Sequence, residues 1–66
     1  MAGWLAQFVD SSTSLGDLAR LAVDDPAWPA GPDRLQTYVD YMEQAGAGPA
    51  ALQALTDAWI GYATRP

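Results

Sequence analysis

The segment SLGDLARLAVD, Ser14–Asp24, decides how this chain can fold because it combines a helix start, a helix stop and a wide apolar face. Ser14 is suited to cap the helix, with Asp17 three positions later near the positive end of the helix dipole. We expect the helix to end near Asp24, because Pro26 disfavours helical geometry in the residue before it. Its apolar residues follow the helical period, and they form a predicted core stripe of Leu15, Leu18, Ala19 and Ala22.

The apolar arc of this helix is wider than a single core contact needs. Leu21 and Val23 lie about 100° to either side of the core stripe. One interpretation is a central helix that packs against two neighbours. The other is that one flank is a surface for a partner. In either case, the residues left on the solvent side of the helix are Gly16, Asp17, Arg20 and Asp24.

A stiff connector with three prolines and one glycine follows the helix, from Asp25 to Pro32. Trp28 lies in its middle, either as a plug that folds back onto the helices or as an exposed anchor for a partner. Asp24 and Asp25 are adjacent at the helix C-terminus, where negative charge opposes the helix dipole. They indicate either a simple turn with Asp24 in water, or a weak divalent-cation site or dock for a partner's arginine.

Three further apolar-periodic segments predict three more helices. The first covers about residues 3–10. Another opens at Asp33, with Gln36 at the reciprocal capping-box position, and is terminated by Gly46. The last begins with Pro49 at the first helical position.

Each of these helices carries a core stripe, and two apolar side chains lie away from it. Tyr41 lies about 100° off its stripe, which predicts partial exposure, and Ile60 projects about 110° from its own. The predicted stripes are Trp4, Leu5, Phe8 and Val9; then Leu35, Tyr38, Val39 and Met42; and last Leu52, Leu55, Trp59 and Tyr62.

The composition excludes several kinds of chemistry. The 66 residues include no histidine, cysteine or lysine, so imidazole bases, thiol nucleophiles, Schiff bases and His- or Cys-built metal sites lack their residues. Paired carboxylates could hydrolyse a glycoside, but four short helices leave little room for a sugar cleft. We therefore expect no enzyme activity, no cofactor and no metal.

The charge balance and the hydropathy limit the class of partner and the cellular location that we expect. A net charge of −5 with only three basic residues predicts no binding to nucleic acid. No stretch approaches the length of a membrane span, and Met1 to Leu5 lacks the basic start of a signal peptide. The absence of cysteine is compatible with a reducing compartment, so the expected location is cytoplasmic.

The order and spacing of several apolar motifs resemble the YozE-like family of small bacterial proteins with a sterile-alpha-motif-like (SAM-like) fold. The motifs are Trp4-Leu5-x-x-Phe8, Leu15-Gly16-Asp17-Leu18-Ala19, Asp25 with Trp28-Pro29, Leu35 with Tyr38 and Tyr41, and Ala58-Trp59-x-x-Tyr62. The resemblance implies a bacterial cytoplasmic protein without enzyme activity. The lack of lysine and the high alanine content suit a high-GC genome, and a phage or mobile-element origin would fit equally.

The sequence thus predicts an all-α fold, a compact four- to five-helix SAM-like bundle that occupies residues 1–66 as one domain. The favoured function is a protein-interaction module that binds another protein or a second copy of itself. A small acidic regulator or inhibitor that uses Asp24, Asp25, Asp33 and Asp40 is the alternative, with nucleic-acid binding less favoured. The candidate partner-binding residues are Leu21, Val23, Tyr41, Ile60, Trp28, Asp24 and Asp25.

Overall fold

The computed structural model describes residues 1–65, which form four α-helices and one 3₁₀ turn with no strand among them. The prediction of an all-helical chain is confirmed. The first predicted helix is one α-helical turn continued by the 3₁₀ turn, and it stops at Phe8 rather than Asp10. In chain order the elements are α1 (Ala2–Leu5), the 3₁₀ turn (Ala6–Phe8), α2 (Ser14–Asp24), α3 (Leu35–Gln44) and α4 (Pro49–Ala63).

Helix α2 has the predicted end but a different cap. The prediction of Ser14 as N-cap is wrong by one residue, because Thr13 has the extended backbone of a cap and its Oγ1 accepts the Gly16 backbone N–H at 3.4 Å. Asp17 lies in the first turn, and the helix ends at Asp24, as predicted. The start and the stop of this helix are therefore set by residues that flank the segment, Thr13 before it and Pro26 after it.

Gly16 was expected on the solvent side of α2, and this prediction is wrong because the residue is buried. The loop after the 3₁₀ turn crosses it so closely that a Cβ on Gly16 would lie 2.0 Å from the Ser11 carbonyl oxygen. Arg20 fixes the same loop, since its Nη1 donates to the carbonyl oxygens of Val9 at 2.6 Å and Ser11 at 3.0 Å. The loop thus packs on α2 where only glycine leaves room.

The N-cap of helix α3 lies one residue after the predicted one. The prediction that Asp33 caps the helix with Gln36 is wrong, because Arg34 holds the N-cap position and Asp33 binds other groups. Gln36 donates instead to Asp40, four residues later, at 2.6 Å. Asp33 therefore does not cap α3 but accepts a hydrogen bond from Tyr62, a residue far along the chain.

The turn between α3 and α4 follows the sequence prediction closely. Gly46 takes a left-handed φ of 87°, and its N–H donates to the Glu43 carbonyl at 3.1 Å. The Ala47 N–H donates to the Met42 carbonyl at 2.9 Å, which completes a Schellman motif. Pro49 then starts α4 at the first helical position.

The core lies where α2 packs against α1, the 3₁₀ turn and α4, and where α3 packs against α4. The interpretation of α2 as a central helix with two neighbours is confirmed. Three large apolar side chains nevertheless remain about half exposed, Leu21 at 50%, Val23 at 49% and Ile60 at 57%. The buried core consists of Leu5, Leu18, Ala19, Ala22, Tyr38, Met42, Leu55 and Ala58.

No helix within residues 1–65 combines the length and the hydrophobicity needed to cross a bilayer.

Candidate functional site

One side of the bundle is filled by a set of aromatic rings in mutual contact, which we call the aromatic cluster: Trp28, Tyr38, Tyr41, Trp59 and Tyr62. The Trp28 ring stacks on Tyr38 with centroids 5.6 Å apart, and Tyr41 meets it edge-on at 5.7 Å. Trp59 connects Tyr38 at 6.2 Å to Tyr62 at 5.4 Å. The cluster therefore joins the proline-rich connector to α3 and α4 in one continuous contact.

Trp28 packs as a plug rather than as an exposed anchor. Its ring is partly buried against Tyr38 and Tyr41, and its Nε1 is buried without a hydrogen-bond partner within residues 1–65. An anchor would present the ring to solvent, so the structure favours the plug, and the assignment of Trp28 as a partner-binding residue stays a prediction. The connector folds back because the ring gains more from stacking than from water.

The adjacent acids at the end of α2, Asp24 and Asp25, lie in different environments. Asp25 accepts the Ala27 N–H at 2.8 Å and also the Tyr41 hydroxyl, so it forms the turn and ties it to α3. This hydrogen bond raises the pKa of Tyr41 above its ordinary value. Asp24 faces solvent. Among residues 1–65, no group of three or more acidic side chains lies together in a way that could hold a metal ion.

Asp33 joins two tyrosines of the aromatic cluster, Tyr38 and Tyr62. It accepts the Tyr38 hydroxyl at 2.7 Å and also the hydroxyl of Tyr62, which is 29 positions away in the chain. These hydrogen bonds, with that of Tyr62 the larger cause, lower the pKa of Asp33. In turn Asp33 raises the pKa of Tyr62, while burial is the main reason for the raised pKa of Tyr38. The hydroxyls thus stay protonated and act as donors that hold the fold.

The face of α2 that carries Leu21 borders a groove that is lined mainly by small or apolar side chains. Its first hollow, of about 260 Å³, lies between α2 and the first turns of α4. A second hollow of about 230 Å³ continues it towards Asp25 and the turn between α3 and α4. Both hollows are lined by Leu21, Met42 and Ala51, so they meet there. We call the two together the α2–α4 groove.

Acidic side chains border this groove. Asp17 and Asp24 lie four residues before and three residues after Leu21, which puts all three on one face of α2. The charged residues that line the groove within residues 1–65 are Asp17 and Asp25. Arg20 forms a salt bridge with Asp17, whose side chain is 77% exposed, so this pair is screened by water. The groove is therefore apolar inside and acidic at its edge.

The structure gathers some of the candidate partner-binding residues and separates others. Leu21, Tyr41 and Asp25 all line the second hollow of the groove. Val23 follows Leu21 by two residues, about 200° around the α2 axis, and therefore points away. Ile60 is about 180° from Ala51 around α4, so it is also outside the groove. The seven candidates thus do not form one surface.

Several groove residues escaped the sequence analysis. Met42 and Leu18 were assigned to the core, and the alanines of early α4 were passed over because they lack bulk. The small size of the alanines is the sequence feature that could have indicated the groove. Ala51 and Ala54 are spaced by one helical turn on a helix that packs against leucines. A run of small side chains there leaves a hollow where larger ones would fill it.

A third hollow, of about 410 Å³, lies between the 3₁₀ turn, the start of α2 and the second half of α4. It is bordered by Trp4 and Phe8, whose rings pack edge-on with centroids 4.9 Å apart. Trp4 also packs against Tyr62 at 5.6 Å. Because its large side chains are only partly exposed and pack against each other, this hollow is a weaker candidate than the groove beside Leu21.

Comparison with known proteins gives one match. The family model described as the YozE SAM-like fold matches residues 3–64, which includes nearly all of α1 and the whole of α4. No curated protein and no solved structure shows significant similarity to the chain.

Proposed function

We propose that this chain, which belongs to the YozE SAM-like fold family, is a non-enzymatic protein-interaction module that binds its partner through the α2–α4 groove. The observation that carries the proposal is Leu21, a leucine that is 50% exposed beside an apolar hollow. Full burial of a leucine side chain is worth about 1.5–3 kcal/mol, and a partner that fills the groove would recover part of it. Covering the groove with a partner is therefore energetically favourable.

The polar groups of the chain support a binding role over a catalytic one. Asp25 and Asp33 both accept hydrogen bonds from tyrosine hydroxyls of the aromatic cluster. An active site needs an acid, a base or a nucleophile that can reach a substrate. The carboxylates that face the groove instead lie at its edge, where they can select a partner by charge.

The structure gives less support to the alternative acidic regulator. That hypothesis combines Asp24, Asp25, Asp33 and Asp40 on one acidic face. Asp33 and Asp25 are hydrogen-bonded to tyrosines of the aromatic cluster, and Asp40 accepts from Gln36. Three of the four carboxylates therefore already accept hydrogen bonds within the chain, and of the four only Asp25 lines the groove. Nucleic acid is disfavoured by the net charge of −5.

The proposal includes a cytoplasmic setting in a bacterium or its phage. The lack of cysteine in the 66 residues supports this setting because a reducing compartment offers no advantage to disulfide-forming residues. Cell fractionation with an antibody against the native protein tests it. Recovery in a secreted or periplasmic fraction would contradict it.

A pair of substitutions tests the interaction function. Leu21→Ser and Ile60→Ser each replace a half-exposed aliphatic side chain, one at the groove and one outside it. Wild-type and variant proteins are used to capture partners from the lysate of the host, and self-association is followed by light scattering. We expect the Ile60→Ser variant to retain the wild-type partner or assembly and the Leu21→Ser variant to lose it. Identical capture by all three would contradict a role for the groove.

A further inference from the structure

We infer that the occupant of the α2–α4 groove is a cationic amphipathic helix of another protein, an inference that rests on the proposed interaction function. Three features of the groove support this inference: its shape, the charge at its edge and the helix ends that surround its second hollow. Each of these is an independent property of the described residues. Together they select one chemical class of partner.

The shape suits a helix laid along α2. The groove follows α2 from Ser14 to Asp25, a length of about 16 Å, or three helical turns. Its floor includes Ala51 and Ala54, whose small side chains allow a second helix to approach at the ordinary packing distance of about 8–10 Å. Leu21 projects beside this floor, where an apolar stripe spaced by helical turns would meet it.

The charge at the edge selects a basic partner. Asp17 lines the groove, and Asp24 is exposed three residues after Leu21 on the same face of α2, so a helix that covers Leu21 brings its flanking residues near two carboxylates. The salt bridge from Arg20 offsets the charge of Asp17, whereas Asp24 and Asp25 form no salt bridge within residues 1–65 and keep this edge negative. Lysine or arginine beside the apolar stripe of the partner would complement this edge.

The second hollow adds a further preference for positive charge. It is lined by Asp25, which directly follows the end of α2, and by Ala45 and Gly46, which directly follow the end of α3. Two helix C-termini, each with a partial negative charge, therefore flank it together with the Asp25 carboxylate. A basic side chain at one end of the partner helix fits this hollow.

A second copy of the chain is a poor occupant. Its three basic residues lie apart: Arg20 on α2, Arg34 at the start of α3 and Arg65 after α4. No helix within residues 1–65 therefore carries the row of basic residues that the groove edge would select. Each copy also carries a net charge of −5, which opposes close approach of two acidic surfaces.

The test is an NMR titration of the isotopically labelled full chain with synthetic helical peptides. The probe is a peptide of roughly 15 residues, long enough for marginal helicity, with a leucine stripe flanked by lysine and arginine. One control peptide replaces every basic residue by glutamate, and another scrambles the order so that the stripe is lost. We expect the cationic peptide to shift the amides that border the groove and to bind at least about tenfold more tightly than either control at low salt.

Variants of the protein locate the effect. Leu21→Ser should remove the groove shifts, whereas Ile60→Ser should leave them unchanged. The double variant Asp17→Asn with Asp24→Asn should weaken binding of the cationic peptide by about tenfold and flatten its salt dependence. The double variant Asp40→Asn with Asp57→Asn, which removes two exposed carboxylates that do not line the groove, is the matched control for charge.

The outcomes separate this inference from the proposed function. Equal groove shifts with the glutamate peptide, or shifts caused by self-association, would overturn the cationic helix while the interaction function stands. The absence of groove shifts with any peptide would also overturn the cationic helix. In that case Leu21-dependent capture of a protein from lysate would keep the interaction function, and its failure would remove both.

Discussion

The aromatic cluster and the α2–α4 groove use different parts of α4, and they meet at Tyr41, which belongs to the cluster and also lines the second hollow. The second half of α4 contributes Trp59 and Tyr62 to the cluster, whereas its first half contributes Ala51 and Ala54 to the groove. In the cluster, every tyrosine hydroxyl donates to a carboxylate of the same chain. In the groove, Leu21 stays half exposed beside an open hollow.

This difference separates what holds the chain together from what is free to bind. Large rings fill the space between the connector, α3 and α4, so the cluster contributes to stability by burial and by its hydroxyl bonds. The groove is lined in part by the core residues Leu18 and Met42, but alanines leave space between α2 and α4, so it remains accessible. A substitution should therefore change stability in the first region and binding in the second.

The largest expected effect is the loss of a ring from the cluster. Trp59→Ala removes the side chain that connects Tyr38 to Tyr62, and it should reduce the free energy of unfolding by about 3–5 kcal/mol. This is a large share of the stability of a small domain. Ile60→Ala is the neighbouring control on the solvent side and should cost at most about 0.5 kcal/mol. Thermal and urea unfolding followed by circular dichroism measure both, and equal stability of the two variants would contradict the packing of α4.

A smaller effect comes from filling the groove. Ala51→Leu adds volume where the two hollows meet, so stability should be unchanged or rise by up to about 1 kcal/mol while partner binding is lost. Ala58→Leu adds the same volume at a residue that is 3% exposed, and should cost about 1–3 kcal/mol by overpacking. Urea unfolding compares the two. A loss of stability with Ala51→Leu as large as with Ala58→Leu would show that the groove is not open.

Helix positions could be predicted well because their signals are local. The proline after α2, the glycine after α3 and the proline at the start of α4 each act on their own neighbours. Asp33 was misassigned because its partner Tyr62 lies far along the chain, and Gly16 because only the fold brings Ser11 against it. The groove could not be predicted, because a hollow depends on how closely two helices pack and not on either sequence alone.

The smallest expected effect is spectroscopic. All three tyrosines have a folded pKa above the ordinary value of 10.0, mainly through Asp25 for Tyr41, Asp33 for Tyr62 and burial for Tyr38. The stabilisation they provide is therefore complete below about pH 10 and is lost as the pH rises through the folded pKa values. Phenolate absorbance during an alkaline titration should show no native tyrosine that ionises near pH 10. Asp25→Asn should return the pKa of Tyr41 towards its ordinary value, whereas Asp40→Asn should not.

Asp33 has the opposite pH dependence. Its folded pKa is lowered from 3.8, so its stabilising contribution is present above about pH 4 and is lost as the pH falls through the folded value. Asp33→Asn should lower the melting temperature at neutral pH and reduce its change between neutral and acidic pH. A variant whose melting temperature follows that of the wild type across this range would contradict the role of Asp33 in the cluster.

The most direct test of the division between the two regions measures stability and binding on the same variant. Leu21→Ser changes a half-exposed side chain at the groove edge and leaves the aromatic cluster intact. Our account predicts a free energy of unfolding within about 0.5 kcal/mol of the wild type and a dissociation constant for the cationic helical peptide at least about tenfold higher. Wild-type affinity in the Leu21→Ser variant would contradict it.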